Sequence, residues 1–105
     1  MKQLTSNNFE EFLSKESDKV IQFYSNTCVL CRLNEQILTN NEEHLGVDLG
    51  FVCGNTETEL LKRYEVSHAP TVFVIPKGGE AVRLETGLQG KQLLEAIEEV
   101  LRRES

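Results

Sequence analysis

Two spacings of apolar residues divide the chain. Val20-Ile21-Gln22-Phe23-Tyr24 is an apolar and aromatic run between polar neighbours, which reads as a buried strand. Downstream, Leu30, Leu33 and Ile37 recur at helical spacing as far as Asn40-Asn41, and they predict a helix with that stripe turned to the core. Val47, Leu49, Phe51 and Cys53 alternate with Asp48, Gly50 and Val52, as in a strand buried on at least one face. Thr71 to Ile75 is a further β-rich run. Pro76-Lys77-Gly78-Gly79 has the composition of a turn, after which Ala81 to Glu85 alternates with Val82 and Leu84 on one side.

Three more helices and an edge strand complete the pattern. Lys2-Gln3-Leu4 reads as a short edge strand. Asn7 with Glu10 resembles a capping box, and Phe9, Phe12 and Leu13 then place a first helix at about residues 7–16. Thr56 and Glu59 form a second such box before Leu60, Leu61 and Tyr64. Leu93, Leu94, Ile97, Val100 and Leu101 define a last helix, closed by Arg102 and Arg103 where cations suit the helix dipole. The order is β-α-β-α-β-α-β-β-α. Crossovers of helical length imply parallel pairing among the first strands, and the short turn implies an antiparallel final hairpin. An α/β fold is expected, with a mixed sheet of about five strands flanked by about four helices.

Composition narrows the function more than the fold. A chain of 105 residues, 39% hydrophobic and 27% charged, suits one globular domain over residues 1–105. A net charge of −6 argues against nucleic-acid or anionic-membrane partners, which want a basic face. The N-terminal Met1-Lys2-Gln3-Leu4-Thr5-Ser6-Asn7 lacks the apolar run of a signal peptide, and no later stretch is long enough to span a bilayer. A cytoplasmic address is expected. Three cysteines are an odd number and too few for a disulfide scaffold, so a close pair points to catalysis or metal binding.

That pair is Cys28 and Cys31, in Thr27-Cys28-Val29-Leu30-Cys31-Arg32, at the junction of the Val20–Tyr24 strand and the next helix. Unpaired N–H groups and the positive dipole end at a helix start favour a thiolate over a thiol. The second cysteine follows almost one turn later, within bonding reach. A reversible dithiol needs this arrangement: an exposed attacker, Cys28, and a shielded partner, Cys31, that resolves the mixed disulfide.

With these elements in order, the chain resembles a thioredoxin-family protein over nearly its whole length. Phe23-Tyr24-Ser25-Asn26-Thr27-Cys28-Val29-Leu30-Cys31 stands where that family has its active-site segment. Val66-Ser67-His68-Ala69-Pro70-Thr71 resembles the family's cis-proline loop, and Gly87 follows the last strand where the family has a groove-lining glycine. The resemblance implies a cis Ala69–Pro70 bond beside the dithiol and a substrate site formed by Thr27, Val29, Ala69, Pro70 and Gly87. It also marks departures. Thr27 and Val29-Leu30 replace the tryptophan and the glycine-proline pair of the family's W-C-G-P-C, and Gln22 takes the place of a buried aspartate. The lysine that accompanies that aspartate falls near Phe51.

Each feature has a plainer reading. Cys28 and Cys31 also fit two buried thiols or half of a zinc site, for which only Cys53, His44 and His68 remain as ligands. Cys53 is either a third redox thiol or, as preferred, a small core hydrophobe. His68 either tunes a thiolate or, as preferred, faces solvent. His44 has no assigned role. Val29 is assigned to an exposed lip and Leu30 to the core. The expected function is thiol–disulfide oxidoreductase, exchanging disulfides with protein substrates and recycled by a disulfide reductase. No cofactor or metal is implied, and a monomer is expected. The alternative is a binding or adaptor module whose dithiol is vestigial or regulatory.

Overall fold

A computed structural model describes residues 1–104. Its elements run β1 (Gln3–Leu4), α1 (Phe9–Leu13), β2 (Asp18–Tyr24), α2 (Val29–Leu45), β3 (Val47–Cys53), α3 (Thr58–Arg63), β4 (Thr71–Ile75), β5 (Val82–Arg83) and α4 (Gly90–Arg103). The five strands form one sheet in the order β1-β3-β2-β4-β5. β1, β3 and β2 are parallel, whereas β4 runs antiparallel to β2 and β5 antiparallel to β4. The expected α/β order and mixed sheet are therefore present.

Strand alternation sends side chains to two cores, one on each face of the sheet. Val20, Leu49, Phe51, Val72 and Val74 pack with Leu38 of α2 and with Leu93, Ile97 and Val100 of α4. On the other face Ile21, Phe23, Val52 and Phe73 meet Phe9 and Phe12 of α1 and Leu60 of α3. Tyr64 joins this second core, its ring centroid 5.2 Å from Phe73, 5.6 Å from Phe9 and 5.9 Å from Phe23. Fully burying one such aromatic is worth about 1.5–3 kcal/mol. β2 lies at the centre of the sheet between β3 and β4, and the dithiol follows the end of β2.

Several boundaries differ from the expectation. α1 spans only Phe9–Leu13, and neither proposed capping box forms. Asn8 precedes α1, but its side chain is used backwards, accepting from Thr5 N–H at 2.8 Å and donating to Gln3 C=O at 3.0 Å. At α3 the Thr56 hydroxyl bonds the Cys53 carbonyl at 3.5 Å instead of capping the helix. α2 runs past Asn40-Asn41, because Asn41 Nδ2 donates to the Ile37 carbonyl within the helix, and it stops at Gly46, whose φ of +70° closes the last turn. The stripe of α2 is also displaced. Its buried residues are Cys31, Asn34 and Leu38, while Leu33 is 54% exposed. Leu30, assigned to the core, is half-buried and lines a cleft with Leu33 and Ile37 at the start of α4. β5 shrinks to Val82–Arg83.

Candidate active site

β2 ends at Tyr24, opposite Cys53 of β3. The chain then turns, with Cys28 N–H on the Ser25 carbonyl at 3.3 Å and Asn26 N–H on Asn55 Oδ1 at 2.9 Å. This turn delivers Cys28 to the N-cap position of α2 in an extended conformation, and its Sγ accepts the Cys31 N–H at 3.1 Å. A helix N-cap normally offers a side-chain oxygen to such an N–H, and here a sulfur takes that part. Cys28 and Cys31 are joined as a disulfide with their Cα atoms 5.3 Å apart.

The two sulfurs have different surroundings. Cys31 is 2% exposed, whereas Cys28 is only half-buried and the next residue, Val29, is 66% exposed. The first turn of α2 carries no acidic residue. Once the disulfide opens, negative charge on Cys28 Sγ therefore meets the Cys31 N–H and the helix dipole, with no carboxylate on that turn to oppose it.

Behind the pair lies Gln22. It is 1% exposed and sits between Phe51 of β3 and Val72 of β4 in the sheet register. Phe51 is thus its direct neighbour, where the resemblance placed a lysine. Gln22 Nε2 donates to the Cys31 carbonyl at 3.1 Å, while Oε1 has no partner among the described residues.

The loop before β4 comes to the same end of the sheet, because Thr71 pairs with Phe23. The Ala69–Pro70 bond is cis, as the resemblance implied, and Thr71 Oγ1 donates to the His68 carbonyl at 2.7 Å. Ala69 and His68 border a cleft of about 200 Å³ that continues along Phe23, Tyr24 and Gly54. Of the other expected site residues, Thr27 is exposed next to Cys28. Gly87, also exposed, has a φ of +84° on the segment between β5 and α4.

Cys53 is a free, buried thiol, 7% exposed, whose Sγ lies 3.7 Å from Asn26 Oδ1 and 3.9 Å from Asn55 Oδ1. These two asparagines were not singled out from the sequence. The available signal was their position in the turns just after β2 and β3. Tyr24 donates its hydroxyl to Gln3 Oε1 at 2.9 Å, and burial pushes its phenol above the ordinary tyrosine value. Tyr24 thus stays protonated at neutral pH and cannot serve as a base for the thiols. His68 is exposed in its loop, and His44 faces Glu98 at 3.8 Å. Among the described residues no group of three His, Cys, Asp or Glu side chains is placed to hold a metal ion. No helix among them is long and apolar enough to cross a membrane.

Comparison with known proteins gives a consistent picture. The family model for thioredoxin matches residues 1–99. Thioredoxin Y1, chloroplastic, from Arabidopsis thaliana is 30% identical over 105 aligned residues, covering 96% of this chain and 60% of that protein. A probable protein disulfide-isomerase A4 from Caenorhabditis elegans is 32% identical over 69 residues, covering 66% of this chain and 11% of that protein. The chain thus spans less than two thirds of either relative. Among solved structures, the first thioredoxin domain of mouse protein disulfide-isomerase A4 superimposes with a TM-score of 0.76 at 20% identity, over 94% of this chain and 74% of that one.

Proposed function

The chain belongs to the thioredoxin family of thiol–disulfide oxidoreductases, and from that premise we propose that it exchanges disulfides with protein substrates through Cys28 and Cys31. The observation that carries the reading is the N-cap geometry, with Cys28 Sγ on the Cys31 N–H at 3.1 Å and Cys31 itself 2% exposed. One sulfur is reachable and electrostatically favoured as a thiolate; the other is shielded and adjacent.

In the reductive direction the Cys28 thiolate attacks one sulfur of a substrate disulfide. The substrate S–S bond breaks, a Cys28–substrate disulfide forms, and the first substrate sulfur leaves as a thiolate that takes a proton. Cys31 then gives up its proton and attacks Cys28 Sγ, releasing the second substrate thiolate. Two electrons have passed to the substrate, and the Cys28–Cys31 disulfide of the present structure is left. A disulfide reductase returns the pair to the dithiol. Thr27, Val29, Ala69, Pro70 and Gly87 form the substrate surface, supported by the exposure of Val29 and by the arrival of the Ala69-Pro70 loop beside the end of β2. In this reading residues 1–105 act as one monomeric unit in a reducing compartment such as the cytoplasm.

Trapping tests the assignment. Cys31→Ser should accumulate mixed disulfides through Cys28, and Cys28→Ser should not. Accumulation in Cys28→Ser instead would reverse the roles. Absence of turnover with a disulfide substrate and dithiothreitol would favour an adaptor with an idle dithiol.

A further inference from the structure

The Gln22 amide is half satisfied. Its Nε2 is bonded to the Cys31 carbonyl at 3.1 Å, but Oε1 is the one buried side-chain nitrogen or oxygen without a hydrogen-bond partner among the described residues. A buried acceptor with nothing to accept from is a standing penalty on whatever state contains it. Its strand neighbours Phe51 and Val72 offer no side-chain donor, since both are hydrocarbon and both belong to the core beneath α2 and α4.

The state in question is the disulfide, in which Cys31 Sγ carries no hydrogen. Reduction by two thiols, glutathione for example, breaks the Cys28–Cys31 bond, adds two electrons and two protons, and yields one glutathione disulfide. One of those protons becomes the Cys31 S–H. A donor thereby arises on the residue whose carbonyl already holds the Gln22 amide in place. We propose that Gln22 Oε1 accepts this Cys31 S–H in the dithiol form, which makes Gln22 a positioning residue that biases the pair towards reduction. The penalty on Oε1 is present in the oxidised protein and relieved in the reduced one, so the wild-type pair is more readily reduced than a pair backed by hydrocarbon. The Nε2 bond to the Cys31 carbonyl does not involve the sulfurs and drops out of the comparison between redox states.

This inference rests on the redox reading above and is tested by Gln22→Met, which keeps length and loses the amide, with Gln22→Leu as a second variant should the first fold poorly. In glutathione buffers the equilibrium constant for forming the Cys28–Cys31 disulfide should rise about tenfold in the variant, equivalent to a potential about 30 mV lower. A merely structural role would weaken both redox forms alike and leave that constant unchanged, as would a buried water satisfying Oε1 in both states; an unchanged constant overturns the inference. A second readout needs no turnover. In a Cys28→Ser, Cys53→Ser background the lone Cys31 S–H stretch should lie at lower infrared frequency with Gln22 than with Gln22→Met, and equal frequencies refute the bond. If Cys28 and Cys31 do not cycle at all, the redox reading falls first; if they cycle with equal constants, only this inference does.

Discussion

Replacing Gln22 by aspartate puts a carboxyl where the protein has a neutral amide, 1% exposed and flanked in the sheet by Phe51 and Val72. Among the described residues no cation is hydrogen-bonded there, so the charged form loses its hydration without gaining a partner. Burial of this kind raises a carboxyl by up to about 3–5 units, and three units at about 1.36 kcal/mol each give a penalty of about 4 kcal/mol. The sign follows from linkage. Below about pH 3 the carboxyl is protonated in the folded and the unfolded chain alike, and the pH-dependent penalty is absent. As pH rises the unfolded chain ionises first, and stability falls until pH passes the raised folded value near about 7. The variant should therefore lie below wild type by about 1.5 kcal/mol at pH 5 and about 4 kcal/mol at pH 8, apart from any pH-independent packing loss.

Urea unfolding of the oxidised proteins at those two pH values reads the difference, because Gln22 does not titrate and the pH dependence of the other ionisable groups, shared by wild type and variant, cancels in it. An equal deficit at both pH values would refute the reasoning. The same substitution bears on chemistry. Resolution requires a shielded Cys31 to lose its proton, and an amide cannot accept it at neutral pH. Stopped-flow reduction of a model disulfide should show wild-type resolution slow at pH 7 and faster towards alkaline pH. Gln22→Asp should be faster at pH 7, where its carboxylate is partly available; no gain would show that the missing carboxylate is irrelevant to the rate.

Further outcomes follow from single positions. Cys53 is buried beside Asn26 and Asn55, so native-state alkylation should label it far more slowly than the reduced Cys28, and a folded Cys53→Ser should keep its turnover. Rapid labelling or lost turnover would contradict this. Gly50→Ala should destabilise by about 1–3 kcal/mol through overpacking, because its Cβ would lie 2.4 Å from Leu4 Cδ1 and 3.2 Å from Phe12 Cζ. An unchanged urea midpoint would show that Leu4 yields freely. Leu38→Ala, a truncation of a fully buried α2 side chain in the core formed with β2, β3 and β4, should cost about 2–5 kcal/mol, and a loss under about 1 kcal/mol would mean that this core collapses into the gap.

The central strands were readable because Val20–Tyr24, Val47–Cys53 and Thr71–Ile75 carry β-branched and aromatic runs that only a sheet interior accommodates well. The dithiol was readable for the same reason: the end of one such run fixes where the next helix begins. Short helices were less legible, since local polar groups had rival partners. The residue before α1 is Asn8 rather than the expected Asn7, and its side chain serves Thr5 and Gln3, while Thr56 serves Cys53, so neither box caps its helix. Lys19 illustrates a different blindness. A lysine suggests solvent and delayed the expected start of β2, yet this one is buried, its ammonium donating to the Lys15 and Ser17 carbonyls just beyond α1. Helical spacing likewise favoured Leu30 and Leu33 over Cys31 and Asn34, because hydropathy alone ranks leucine above cysteine and asparagine, whereas the expected Ile37 does pack against the core beside Leu38. The unmet Gln22 Oε1 has no signature in sequence, being a property of what surrounds it.

The most direct test of the redox reading is the thiol count of the protein equilibrated across a series of glutathione buffers and quenched with an alkylating agent under denaturing conditions. Of three thiols in the chain, two should disappear together in a single two-electron transition, with the disulfide mapped to Cys28 and Cys31 and Cys53 alkylated throughout. Three alkylated thiols in every buffer, or a disulfide that includes Cys53, would contradict it.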